Sequence, residues 1–130
     1  MEKTIMVLES FAKDQGFGVT FENKDFKCAF ITHSEQYKCG RVHIIKRHTE
    51  SPEVFVLLNG KATLLTGDPS IGEYIKTNLQ MKQSYCITSG TWHYLAVSED
   101  ALVFVVENSN VSGVNTEALD VWEQGLILEV

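Results

Sequence analysis

Along most of this chain apolar and polar residues alternate with a period of two rather than 3.6, which predicts strands. Strand-like runs fall at residues 18–21, 27–32, 41–46, 54–58, 61–66, 74–79, 84–88, 94–97 and 102–107. Turn-forming residues separate most of them: Glu22-Asn23-Lys24-Asp25, Gly67-Asp68-Pro69-Ser70, Ser89-Gly90 and Ser98-Glu99-Asp100. Asn59-Gly60 predicts a two-residue hairpin, since both residue types accept the positive φ of a type I′ turn. Many short strands at even spacing imply an antiparallel sandwich or barrel. Helix is expected only at the ends, at 4–13, stopped by Gly16, and at 116–124, capped by Asn115 or Thr116. With no repeat, low-complexity segment or linker, residues 1–130 read as one domain.

Parity adds a second expectation. If Glu53 points into the barrel, Phe55 and Leu57 point in with it, and Val54, Val56 and Leu58 point out. The run LVFVV at 102–106 reads as buried on both faces. So many outward aliphatic side chains need a cover. Terminal segments of the same chain would serve, but a sheet-to-sheet homodimer is the expected one.

Composition narrows the function classes. The 130 residues are 44% hydrophobic and 22% charged, an ordinary globular balance with material for one core. The longest apolar runs, 54–58 and 101–106, are too short to span a bilayer, and the opening MEKTIMVLESF lacks a leader's cleavage site. Cys28, Cys39 and Cys86 are odd in number without CxxC spacing, which reads as reduced thiols and a cytoplasmic setting. Net charge is -6 with no basic cluster, so nucleic acid is not an expected partner and a small molecule is.

The chemistry concentrates in GRVHIIKRHTESPEVFVLLNG, from Gly40 to Gly60, and in ITSGTWHYL around His93. His48, Glu53 and His93 form a candidate metal triad, because imidazole nitrogen and carboxylate oxygen suit zinc, iron, manganese or nickel. Lys46 lies two residues before His48 and should share its face. An ammonium has no lone pair for a metal, so Lys46 either pairs with Glu53 or clamps a substrate carboxylate. Lys46 and Glu53 are the candidate catalytic groups, and Arg41 and Tyr85 join Lys46 as candidate substrate contacts, with Tyr37 and Arg47 as further rim residues. His43 should face outward, His33 reads as loop, Trp92 and Tyr94 should point away from His93, and Cys86 reads as a small core residue.

These residues resemble the motifs of the cupin superfamily, small double-stranded β-helices or jelly rolls. Gly40, His48, Glu53 and Gly60 keep the spacing of the first motif, with Lys46 where its first His belongs. Thr88-Ser89-Gly90-Thr91-Trp92-His93 keeps the Gly and the His of the second, with Thr88 for Pro, Lys82 for the leading Gly and Val97 for Asn. RHTESPEVFVLL and QSYCITSGTWHYL are also similar, over fewer positions, to the ureidoglycolate lyase group, in which a charged residue likewise replaces the first His. The resemblance implies an all-β cupin jelly-roll barrel with a short terminal helix. It also implies a metal-dependent lyase, isomerase or hydrolase acting on a carboxylate-bearing substrate. The alternative is a metal-free cupin that binds a sugar acid or similar metabolite without turnover.

Overall fold

A computed structural model describes residues 4–8, 10–11 and 15–130. Its strands are β1 (Phe17–Glu22), β2 (Phe26–Ile31), β3 (Gly40–Arg41), β4 (Ile44–His48), β5 (Glu53–Asn59), β6 (Ala62–Asp68), β7 (Glu73–Asn78), β8 (Ser84–Ile87), β9 (Trp92–Val97), β10 (Leu102–Asn108), β11 (Thr116–Asp120) and β12 (Ile127–Leu128). One five-stranded antiparallel sheet runs β1-β2-β10-β5-β8 and a second runs β11-β4-β9-β6-β7. The two face each other as a jelly-roll sandwich, and β3 pairs with β12 beside them. Every strand-like run of the sequence is a strand, except that 41–46 breaks at Val42 and His43 into β3 and β4. Among the described residues no helix is long and apolar enough to cross a membrane.

Alternation decides what is inside. Phe55 and Leu57 on β5 and Val103 and Val105 on β10 join Ala29, Ile31, Leu64, Leu95 and Val97 in the core between the sheets. A second cluster, Val42, Ile45, Leu65, Ala96, Val121 and Leu128, lies on the other side of the second sheet. There the C-terminal segment covers it. On the outer face of the first sheet Val54 and Val56 are half-buried and Leu58 is 43% exposed, as parity required. Leu102, Phe104 and Val106 are half-buried rather than buried, so only one face of β10 is core.

Three expectations are corrected. Residues 116–124 are not a helix: Thr116–Asp120 pairs as β11 along the open edge of β4, and only Trp122–Gln124 makes a 3-10 turn. Helix propensity is a weak preference, and the hydrogen bonds offered by a free edge outweigh it. The described residues within 4–13 carry no helix either, while residues 9, 12 and 13 lie outside the described set. Finally, Asn59-Gly60 is not a hairpin, because β5 and β6 belong to different sheets. Gly60 has φ +74° and Asn59 does not share it. A Cβ on Gly60 would lie 2.7 Å from the Ala101 backbone, so the glycine lets the chain cross between sheets in close contact with the next crossing.

Candidate metal and ligand site

His48, Glu53 and His93 come from three strands and two sheets, yet their side chains converge between the sheets. Glu53 begins β5, His48 ends β4, and His93 lies on β9 with the inward parity of Leu95 and Val97. One potential ligand atom from each lies within 4.8 Å of the others. Glu53 is 6% exposed and His93 9%. Glu53 Oε1 is 3.4 Å from His93 Nε2 and 3.6 Å from His48 Nε2, longer than good hydrogen bonds.

The far nitrogen of each ring is already held. His93 Nδ1 lies 2.9 Å from the Thr91 carbonyl, which can only accept, so Nδ1 carries the proton. Nε2 is then the nitrogen that faces the Glu53 carboxylate, with a lone pair when the ring is neutral and as a donor when it is protonated. His48 Nδ1 lies 3.0 Å from Thr116 Oγ1, a contact that exists because residues 116–120 form a strand with Thr116 opposite His48. Two imidazole nitrogens and a carboxylate oxygen set about 3.5 Å apart suit a divalent cation between them. Ligands at about 2.1 Å from one ion stand about 3.0–3.4 Å apart at octahedral to tetrahedral angles. Orientation of metal-binding histidines through their other nitrogen is the usual supporting arrangement. The residues present therefore fit such an ion, as a site of three protein ligands.

The sequence reading missed Glu107. On β10 it pairs with Glu53 on one side and Lys27 on the other, making a row of Lys27, Glu107 and Glu53 across the first sheet. Glu107 is 5% exposed, and Lys27 Nζ lies 3.8 Å from its Oε1 while donating to the Val111 carbonyl at 2.9 Å. Burial, then the hydrogen bond with Glu53 and the charge of Glu53, push the Glu107 carboxyl up to about 7, against the pull of Lys27 and His48. Burial also opposes ionisation of Glu53, but donation from His48 and His93 in their protonated forms and the charge of His93, with Glu107 as a further partner, hold it down at about 2. The two environments thus push the carboxyl groups in opposite directions, Glu53 down and Glu107 up. Parity along LVFVVE at 102–107 could have turned Glu107 inward, but its pairing with Glu53 needs the fold.

The other predicted residues divide. Lys46 lies directly opposite His93 in the register, but it is exposed, and no hydrogen bond or ion pair to a described residue forms. The expected ion pair with Glu53 is absent because the imidazoles occupy that carboxylate. Tyr85 pairs with Phe55 and packs on the core, its hydroxyl accepting from the Gln80 amide at 2.8 Å. Tyr37 also packs on that core, and the charges of Glu53 and Glu107 bear on its phenol. Arg41 is not at the site. Its guanidinium lies 4.0 Å over the Trp122 ring and donates to the Trp122 carbonyl on the far side of the second sheet. Arg47 lies on the outer side too, 4.6 Å over Trp92 and 3.0 Å from Glu117. Trp92 and Tyr94 point away from His93 into the outer cluster, and His43 is exposed beside Asp120 at 3.1 Å. Cys86, expected in the core, is exposed on β8, an edge strand with little to cover its outer face. All three cysteines are free thiols.

No family model matches the chain, and no curated protein sequence matches it. Solved structures do. A cupin-2 domain protein from Shewanella frigidimarina superposes with TM-score 0.57 at 19% identity, over 75% of this chain and 84% of that one. Streptomyces PAC13, solved with uridine, gives 0.59 at 12% identity over 92% and 93%. Oxalate decarboxylase from Bacillus subtilis gives 0.56 at 18% identity over 74% of this chain and 24% of that larger one. At such identities the likeness speaks for the fold, and the chemistry has to be read from this chain's own side chains. The chain has the cupin jelly-roll fold.

Proposed function

We propose that this protein is a small-molecule enzyme of the cupin type that uses a divalent metal held by His48, Glu53 and His93. The supporting observation is the convergence of both Nε2 atoms on Glu53 Oε1 with each Nδ1 already engaged. A bound ion would supply Lewis-acid polarisation of an oxygen on the substrate. Lys46, exposed opposite His93 and without a partner among the described residues, clamps the substrate's carboxylate. Glu107, buried directly opposite Glu53, is a second carboxyl group placed to take part in proton transfer. Lyase, isomerase or hydrolase chemistry on a hydroxy- or keto-acid fits this set. Within it, the ureidoglycolate lyase resemblance makes a ureide carboxylate the first substrate to assay.

Metal content per chain, measured on protein purified without a histidine tag, tests the reading. Near-stoichiometric metal that disappears in His93→Ala supports it. Metal absent from the wild type but gained in Lys46→His favours the second reading, a metal-free binder of a sugar acid or similar metabolite. Lys46 at the first ligand position is the observation behind that alternative.

The working form is a homodimer through the outer face of the first sheet. Val54, Val56 and Leu58 on β5 and Leu102, Phe104 and Val106 on β10 give that face a contiguous apolar surface with no charged side chain among them. Phe30 borders it, 5.3 Å from Phe104, and is itself packed by Phe11 of the N-terminal segment at 6.2 Å. A second copy offers an equally apolar, self-complementary surface. Light scattering should give twice the chain mass for the wild type and a single chain mass for Val56→Glu. A monomeric wild type at micromolar concentration would remove the dimer from this reading.

A further inference from the structure

The two strands that carry the candidate histidines meet only briefly. β4 and β9 share one register pair, Lys46 with His93, whereas β6 and β9 share six, from Ala62 with Val97 to Gly67 with Trp92. So short a ladder does little to fix the end of β4, where His48 lies, against the start of β9. The junction is closed instead by the turn Thr88-Ser89-Gly90-Thr91, which carries the chain from β8 in the first sheet to β9 in the second. The Gly90 amide donates to the His48 carbonyl at 2.8 Å, and the Thr91 carbonyl accepts from His93 Nδ1 at 2.9 Å. Ile87, just before the turn, stands opposite Glu53 in the register of β8 with β5. One short stretch of chain therefore meets all three residues of the candidate site.

The shape of the turn sets where its amide and carbonyl point. Gly90 has φ +80°, the value of the third residue in a type II turn. A Cβ there would meet nothing within 4 Å, so the glycine serves the backbone angle and not a shortage of room. The backbone closure, from the Thr91 amide to the Thr88 carbonyl, spans 3.2 Å, at the long end of the usual range. The hydroxyls of the same two residues lie 2.8 Å apart, the ordinary length of an O–H···O bond. They link the first and last residues of the turn a second time.

We propose that Thr88 and Thr91 are positioning residues of the candidate site, their paired hydroxyls closing the turn that fixes His48 and His93 relative to each other. They act through the Gly90 amide and the Thr91 carbonyl rather than on a ligand. With the hydroxyl link cut, the turn opens, the His93 ring loses its fixed acceptor and its Nδ1 proton meets water. The assignment rests on His48 and His93 serving one site, the reading proposed above, yet its first test needs no metal.

Three variants of the full chain decide it. Thr88→Val removes the hydroxyl, Thr88→Ser keeps one, and Thr63→Val is a control that deletes a buried hydroxyl bonded to Asn78 at 2.9 Å, away from the turn. In the metal-free protein, nitrogen-15 NMR should show the His93 Nδ1 proton exchanging with water about tenfold faster in Thr88→Val. Thr88→Ser should restore the wild-type rate, and Thr63→Val should lower the melting temperature while leaving that proton unchanged. Where the wild type binds zinc, affinity should fall about tenfold in Thr88→Val and recover in Thr88→Ser. A proton or an affinity that Thr88→Val leaves unchanged, that Thr88→Ser fails to restore, or that Thr63→Val alters equally overturns the assignment. A wild type that binds no zinc, but whose His93 proton still follows Thr88, upholds the turn's role while removing the metal from the proposed function.

Discussion

Glu107 stands directly across from Glu53 on the neighbouring strand, both carboxyl groups buried, and their environments push their pKa values apart. The carboxyl held low is the one met by two imidazoles; the one pushed up is left with burial and a like neighbour, relieved in part by Lys27. Local surroundings thus give two residues of one type opposite protonation behaviour on adjacent strands.

The pair sets a pH dependence for the metal-free protein. Glu107 in the fold is raised from 4.5 to about 7, so the native state holds a proton that the unfolded chain has released. Its contribution is full below pH 4.5 and is lost as pH rises toward 7. Glu53 is lowered from 4.5 to about 2, so its contribution is present above 4.5 and lost as pH falls toward 2. The pair alone therefore favours stability near the crossing of the two windows. In Glu107→Gln, urea denaturation midpoints should lose the decline between pH 4.5 and 7 and keep the acid limb. An unchanged decline would mean that Glu107 is not the group responsible.

Thr116 reaches His48 Nδ1 at 3.0 Å. Removing its hydroxyl in Thr116→Val frees that ring nitrogen with little change in shape. If the triad binds metal, zinc affinity by competition with a chromophoric chelator should fall by about tenfold or somewhat more. His93→Ala should abolish binding, and an intact affinity in both would dismiss the triad.

Lys46 separates function from stability. Being exposed and without a partner among the described residues, it should be replaceable by Met with a stability change within about 0.5 kcal/mol. The same variant should lose hydroxy-acid binding. A large fall in denaturation midpoint would show that Lys46 has a structural partner.

Leu57, 2% exposed in the core between the sheets, marks the other extreme. Leu57→Ala should cost about 2–5 kcal/mol in chemical denaturation, from lost burial and the cavity left behind. Leu58→Ala, on the adjacent but 43% exposed position, should cost far less in the monomer. Similar losses at both positions would contradict the assigned parity of β5.

The alternation of β5 by itself determined that Glu53, Phe55 and Leu57 share a face, because side-chain direction along a strand is a local property of the backbone. For the same reason His93 could be set inward and Trp92 and Tyr94 outward. Motif spacing singled out His48, Glu53 and His93 as one group, and the fold brings those atoms together. What lay beyond the sequence was everything set by which strand meets which. Asn59-Gly60 has a hairpin's residues but joins two sheets, since no local preference records that β5 pairs with β10 and β8 instead. Residues 116–120 have a helix's composition but form β11, because β4 presents an edge whose hydrogen bonds are otherwise unmade. That same non-local pairing carries Thr116 to His48, and the pairing of β10 with β5 carries Glu107 to Glu53. Side-chain direction was legible along the chain because it is fixed within each strand; partnership was decided only when distant strands competed for the same edges.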